Sequence, residues 1–539
     1  MRKLIWVLCV AAAFSGAAAA DEGHHHEELT QEQLGTVHFP VSCTPDAQKT
    51  FEKGVALLHS FWYEESEKTF LEVEKQDPKC AMAYWGEAMS LWHQLWNRPD
   101  APTIKRASAE LKKAGKMKDG TTDRERDYVQ ALKAFYSNSK KADHEARALA
   151  YSVAMEKVYR KYPDDHEAAA FYALSLLAAE PDNDTAFANR KEAGAVLEKL
   201  FAAEPNHPGV VHYLIHSYDK PQLAQLGLPA ARRYAQIAPA APHALHMPSH
   251  IFARLGLWQD DINSNLASIA ATRKTAAMHM GGEGHQFHAM DFLVSAYLQS
   301  GREADALKVI EEVKAMPPMK DMYGKGYDPR VYALVAFPAR YALEMHHWAE
   351  AASLTPVPEA REGDASITYW ARAIGAARSG NVAQARTDLS HIDAIHKTLL
   401  DQKKKVFAEA VDQDRKEAAA WLDHAQGKND DAVAALRAIA EKQESSGDES
   451  GGGIPAREML ADMLLEMKRP AEALAEYKTG LKFFPNRFNS LYGAAQAAEM
   501  AGQASEATEY YAVLVKTCEG SSSERPELAK AKQAVVALK

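Results

Sequence analysis

Cysteine is scarce in this chain, 4 in 539 residues, and no two stand close enough to form a CxxC or CxxCH motif. Redox pairs, zinc ribbons and covalently attached haem are therefore disfavoured. There is no HExxH, no Walker glycine loop and no dinucleotide-binding fingerprint, which argues against a zincin protease or a nucleotide enzyme. Beyond the first twenty residues no stretch approaches about 18 uninterrupted apolar residues, so no membrane span is expected. Runs of basic residues are also missing. With 63 Lys and Arg against 73 Asp and Glu, a net charge of −10, nothing here could track a phosphate backbone, and nucleic acid is a poor candidate partner.

What the chain does have begins with MRKLIWVLCVAAAFSGAAAA. Arg2 and Lys3, an apolar run and a small-residue end read as a signal peptide over 1–20, cleaved before Asp21, which places the mature protein in the periplasm or outside the cell. Cys9 sits inside the apolar run and is no lipidation site. Residues 21–45, opening with GHHHEE at 23–28, read as a mobile N-terminal segment.

Internal repetition sets the architecture. LLHSFW (57–62) and LWHQLW (91–96) place His59 against His93 and Trp62 against Trp96, each 34 residues apart. Gly54, Leu57, Ser66, Phe70, Val73 and Pro78 alternate small and large residues across two helical stretches. Similar units fall on Gly256, on Gly301, on Gly380 with Ala385 and Leu389, and on Gly427 with Ala432 and Leu436. Two more fall on Ala461, Leu464, Ala473, Tyr477 and Pro485, and on Leu491, Ala495, Gly502, Ala507 and Tyr511. This pattern resembles the tetratricopeptide repeat (TPR) family over most of residues 46–515. The resemblance implies an all-α, TPR-like superhelical solenoid of antiparallel helix pairs, with a concave groove lined by the first helix of each pair. The expected domains are a main solenoid at 46–443, a flexible linker ESSGDESGGG at 444–453, and separable C-terminal TPR repeats at 454–539. Cys43 and Cys80 precede the first helices of successive repeats, whose ends are neighbours in such a stack. A disulfide is expected there, the alternative being two separate buried thiols, with Cys518 left free.

Nine of the 22 histidines lie between 207 and 288. His212 and His216 share one helical face, as do His246 and His250, and the two pairs stand 34 residues apart. Phased on Gly256, His243, His246 and His250 take groove-facing positions, which in TPR relatives hold ligands. The next repeat adds His288 and Asp291. Neutral imidazole suits zinc, copper or nickel, and i, i+4 pairs on adjacent helices could share one divalent ion. Asp219, Asp291 or Glu283 could orient a ring or serve as a carboxylate ligand. His59, His93, Trp62 and Trp96 are expected to line the groove as an aromatic ladder. The segments around His212 and His246, with FWYEESEKTF, resemble exported bacterial TPR proteins to which we can attach no activity. Two functions stay open: a scaffold whose groove receives a protein or peptide segment and a transition-metal ion, or a metal-dependent enzyme using the same histidines.

Overall fold

The computed structural model describes residues 29–95, 98–137, 139–181, 184–278, 280, 284–319, 327–447 and 453–536. Every regular element among them is a helix. Local chemistry sets the helix starts. Asp100, Asp143 and Asp165 accept hydrogen bonds from the first-turn amides of the helices they precede, and Thr122 with Glu125 forms a capping box. Pro45, Pro208, Pro242 and Pro470 occupy first helical positions, where a missing N–H costs nothing.

In many of the pairs the turn is set by one left-handed residue placed two positions before the second helix. Gly256, Gly301, Gly380, Gly427 and Gly502 fill it with φ between 63° and 81°, conformations that glycine adopts without strain. Small residues then let the helices cross closely. A Cβ placed on Gly86 would lie 2.3 Å from the Phe70 ring, and one on Gly493 would lie 2.3 Å from Tyr477. Each helix packs chiefly on its sequence neighbours, from Pro45–His59 against Tyr63–Gln76 through to Ala504–Thr517 against Pro526–Val536. The result is a TPR-like superhelical solenoid of antiparallel helix pairs. No helix among the described residues is long and apolar enough to cross a membrane.

Four features refine the expected layout. The N-terminal segment is packed from residue 29 onward: Leu34, Val37 and Phe39 are buried in the first core, and the backbones of Thr36 and Gln33 bond to Asn206 and Ala240. Their apolar side chains tie this strap across the mid-chain repeats. The Cys43–Cys80 disulfide, with its Cα atoms 5.0 Å apart, anchors the strap's end. The linker is also shorter than expected, since Glu444–Ser446 still belong to the Asn429–Ser446 helix and Glu444 pairs with Arg457; residues 448–452 lie outside the described ones.

The C-terminal repeats dock on the solenoid. They share one apolar core with residues 339–440, and Arg487 pairs with both Glu344 and Glu458. Their turn also docks on an earlier repeat, where Trp258 Nε1 donates to the Asn486 carbonyl over 2.8 Å. Finally, the inner face of the first repeats is filled by the chain itself. The Pro45–His59 helix lies against Pro208–Tyr218, so His59 and Trp62 are buried instead of lining an open groove. Cys518 is a free, buried thiol.

Candidate functional site

Three helices supply the histidines: Pro208–Tyr218, the broken helix formed by Pro242–His246 and Pro248–Arg254, and His285–Gln299. Each presents its inner face at the same three offsets, namely 209, 212 and 216; 243, 246 and 250; and 285, 288 and 292. Seven of these nine positions are histidine, Gly209 and Phe292 being the exceptions. Gly209 is small because His59 fills its place, with Nδ1 2.4 Å from where a Cβ would stand.

The rings sort into two groups of three. His212, His216 and His243 bring their nitrogens within 4.8 Å of one another, and so do His246, His250 and His288. Each group joins an i, i+4 pair on one helix to a single ring from the next repeat. The four expected residues His212, His216, His246 and His250 lie together, divided between two adjacent trios. Their closest approaches are ring centroids 6.0 Å apart for His243 and His246, and 6.3 Å for His216 and His250.

Proton positions give the geometry its meaning. His212 Nδ1 donates to the His59 carbonyl over 2.6 Å, His246 Nδ1 to Asn265 Oδ1 over 2.7 Å, and His250 Nδ1 to Asp219 Oδ2 over 2.8 Å. Asn265 is itself oriented, because its amide donates to the carbonyl and carboxylate of Asp261. Arg254 likewise holds the other oxygen of Asp219 at 2.9 Å. A neutral imidazole carries one proton, so Nε2 of all three rings is a bare acceptor. Yet His246 Nε2 and His250 Nε2 stand 3.0 Å apart, and His212 Nε2 lies 3.1 Å and 3.2 Å from Nε2 of His216 and His243. Between His246 and His250 lone pair therefore faces lone pair, which is repulsive unless a cation lies between. These spacings are close to the edge of about 3.3 Å separating two nitrogens on a tetrahedral ion with bonds of about 2.0–2.1 Å.

Burial, followed by neighbouring histidines, pulls His216, His243 and His246 well below the usual histidine value. Burial brings His212 down to about 3 and His285 to about 4. Burial alone would raise Asp219, but Arg254 and His250 outweigh it and hold the group ionised.

Two other clusters show what satisfied groups look like. His59 and His207 both reach Glu167 through Nε2, at 2.8 Å each. The remaining nitrogen of His59 faces the Tyr213 hydroxyl at 2.8 Å, and that of His207 accepts from the Val210 amide. Every proton has a partner there and no ion is called for. Glu74, Glu87 and Glu110 also cluster, but Arg106 and Lys113 answer their charge, and burial raises Glu74 to about 8, where it holds a proton for its neighbours.

The other expected residues fall elsewhere. Asp291 turns away from the histidines to pair with Arg340 at 2.6 Å and with the Tyr332 hydroxyl, because its side of the helix meets the Arg330–Glu344 helix. His93 stacks on Tyr63 with centroids 4.1 Å apart, and Trp62 Nε1 donates to the Met280 carbonyl. Trp96, Glu283, the 23–28 tail and the 1–20 segment lie outside the described residues. His285, not singled out from the sequence, lies 5.6 Å from His243; it precedes His288 by three residues, as His243 precedes His246, and that spacing could have revealed it. Asn265, also missed, carries no motif.

No family model matches the chain, and no curated protein matches it. Solved structures similar to it include a human IFIT1 dimer with m7Gppp-AAAA, 13% identical, spanning 86% of this chain and 95% of that one with a TM-score of 0.34. A human IFIT1 dimer with PPP-AAAA gives the same identity and coverage at a TM-score of 0.37. The P58(IPK) TPR domain is 13% identical over 92% of this chain and 99% of that one, at 0.21. At TM-scores this low none of these likenesses bears on the histidine site.

Proposed function

We propose that this chain is an exported helical-repeat protein that binds two late first-row divalent ions, one in each histidine trio. The observation that carries this reading is the pair His246 and His250. Their Nε2 atoms face each other at 3.0 Å while each Nδ1–H is committed to an acceptor. Imidazole-only ligand sets favour zinc, copper or nickel over magnesium or calcium, which need hard oxygen donors. Ring orientation by a carboxylate, an amide and a backbone carbonyl is the outer support that metal-binding histidines ordinarily have. Export accords with the signal-like 1–20 segment and with the Cys43–Cys80 disulfide, a bond that persists in oxidising compartments.

A metal-dependent enzyme is the second reading, favoured by there being three protein ligands per ion, the number that catalytic zinc sites use. The test is metal analysis and calorimetric titration of protein purified without a histidine tag. Two equivalents of zinc, copper or nickel per chain are expected. Protein that stays metal-free after growth in supplemented medium and takes up none on titration overturns the proposal.

A further inference from the structure

The two trios differ in what covers them. His212 and His243 are buried and His216 is half-buried, and the Phe61 ring closes over all three, with centroids 4.3, 5.7 and 5.7 Å away. Phe61, like His346, Lys403 and Lys468, is a non-glycine residue in the left-handed region two positions before a helix. It occupies the turn position, two before the second helix of its pair, that Gly256, Gly301, Gly380, Gly427 and Gly502 fill elsewhere, and it does so at φ 54°. A bulky side chain in the left-handed region is strained, and such strain persists where the surroundings hold it and the position is used. Here it delivers an aromatic ring onto three imidazoles.

The second trio has a different boundary. Phe292 packs beside it, 4.6 Å from His250 and 5.0 Å from His246, but His288 remains exposed to solvent. Among the described residues no fourth histidine, cysteine or carboxylate joins the group. Asp219 instead spends its two oxygens on the His250 Nδ1 proton and on Arg254. Among the described residues an ion there would have three imidazole ligands and a solvent-exposed side at His288.

We propose that the His246–His250–His288 centre keeps one coordination position open to a small exogenous ligand, water or a small anion, while Phe61 closes the His212–His216–His243 centre. The loaded protein is then asymmetric, with one ion shielded and one exchangeable. This inference rests on the metal reading above.

The test uses cobalt(II) as the metal and azide as the anion. Metal content is measured first, and failure to take up any cobalt overturns the metal reading and this inference with it. With two cobalt ions bound, one azide per chain is expected, read from the change in the cobalt absorption bands. Zero or two azides per chain overturns the asymmetry while leaving metal binding intact. Because His288 is exposed, H288A should fold; it is expected to lose one cobalt and the azide response together, and an azide response retained in H288A overturns the assignment. F61G relieves the strained turn and removes the ring, so it should keep two cobalt ions and bind two azides. F61L, which keeps an apolar cover, should stay at one. An F61G protein that still binds a single azide overturns the role given to Phe61.

Discussion

Around Arg487, in the C-terminal repeats, each buried charge meets its opposite. The guanidinium lies between Glu344 and Glu458, and Asn489, which bonds to Glu344, takes a further hydrogen bond from Arg525. Nearby, Arg457 does the same between Glu444 and Glu476. Around His246, on the inner face of the middle repeats, polar groups are packed just as deeply, yet Nε2 of His246 faces Nε2 of His250 and Nε2 of His212 faces Nε2 of His243. Both regions stack helix pairs of the same kind and both take polar side chains out of water, which is costly unless they are paired. The first supplies its own counter-charges and is complete as a folded chain. The second gathers seven imidazoles, three of which, His212, His246 and His250, have their outer nitrogens oriented by protein while their inner nitrogens face other imidazoles.

The comparison breaks if the two regions respond alike to loss of a member. Removing the cation from the complete network should cost most. R487M is expected to destabilise the protein by about 3–5 kcal/mol, because Glu344 and Glu458 are left buried without their counter-ion. Denaturant unfolding monitored by circular dichroism measures it, and a loss under 1 kcal/mol would show that the network is dispensable. The histidine region should instead gain from an added ion. Zinc at a hundred times its Kd is expected to stabilise the wild type by about 2.7 kcal/mol per site. The double variant H246A/H250A should lose one site's share of the thermal shift and retain the other, since His212, His216 and His243 form their own trio. Loss of both shares would mean that the six rings act as one centre.

The helix pairs and the histidine register could be read directly from residue spacing, because a stack of repeats converts a 34-residue interval into adjacency. What spacing could not show was how the rings divide. His243 leaves its own helical neighbours to complete the pair on the preceding repeat, which depends on the curvature between repeats. Nor could spacing show that Asp291 faces Arg340, 49 residues further on, or that the backbone of His59 orients a ring 153 residues away. The strap was hidden for another reason: Leu34, Val37 and Phe39 follow a polar, histidine-rich tail and precede the first repeat, so no period marks them. Phe61 was in plain view, but only the backbone shows that it stands in a glycine position.

A finer comparison separates ligands from the groups that orient them. D219N keeps the size of the side chain but removes the charge that faces the His250 Nδ1 proton and Arg254. Affinity at the second trio is expected to fall about 10–100-fold, the usual cost of losing an outer-sphere partner. Titration calorimetry should show the first trio unchanged. Equal weakening at both would place Asp219 in a shared structural role instead.

Acid should also act on the two regions over different pH ranges. His212 titrates at about 3 when folded against 6.5 when free, because burial penalises its charged form. The unfolded chain therefore binds more protons below pH 6.5, and the stability contributed by the neutral ring is progressively lost as pH falls from 6.5 toward 3. One pH unit into that range, a ring of this kind costs about 1.4 kcal/mol. Glu458 runs differently. Burial would raise it, but Arg487 dominates and holds it below the ordinary 4.5, so its contribution is present above that pH and is lost only below it. Asp462, raised by burial to about 6 from 3.8, has the opposite sign and favours the folded state as pH falls between those values. In metal-free protein, amide protection corrected for intrinsic exchange should therefore drop first in the Pro208–Tyr218 helix between pH 6.5 and 5, while the Phe488–Met500 helix holds. With zinc bound the same helix should resist to lower pH, since protons must then displace the ion. If both helices lose protection together in metal-free protein, the buried imidazoles are not what makes the middle repeats sensitive to acid.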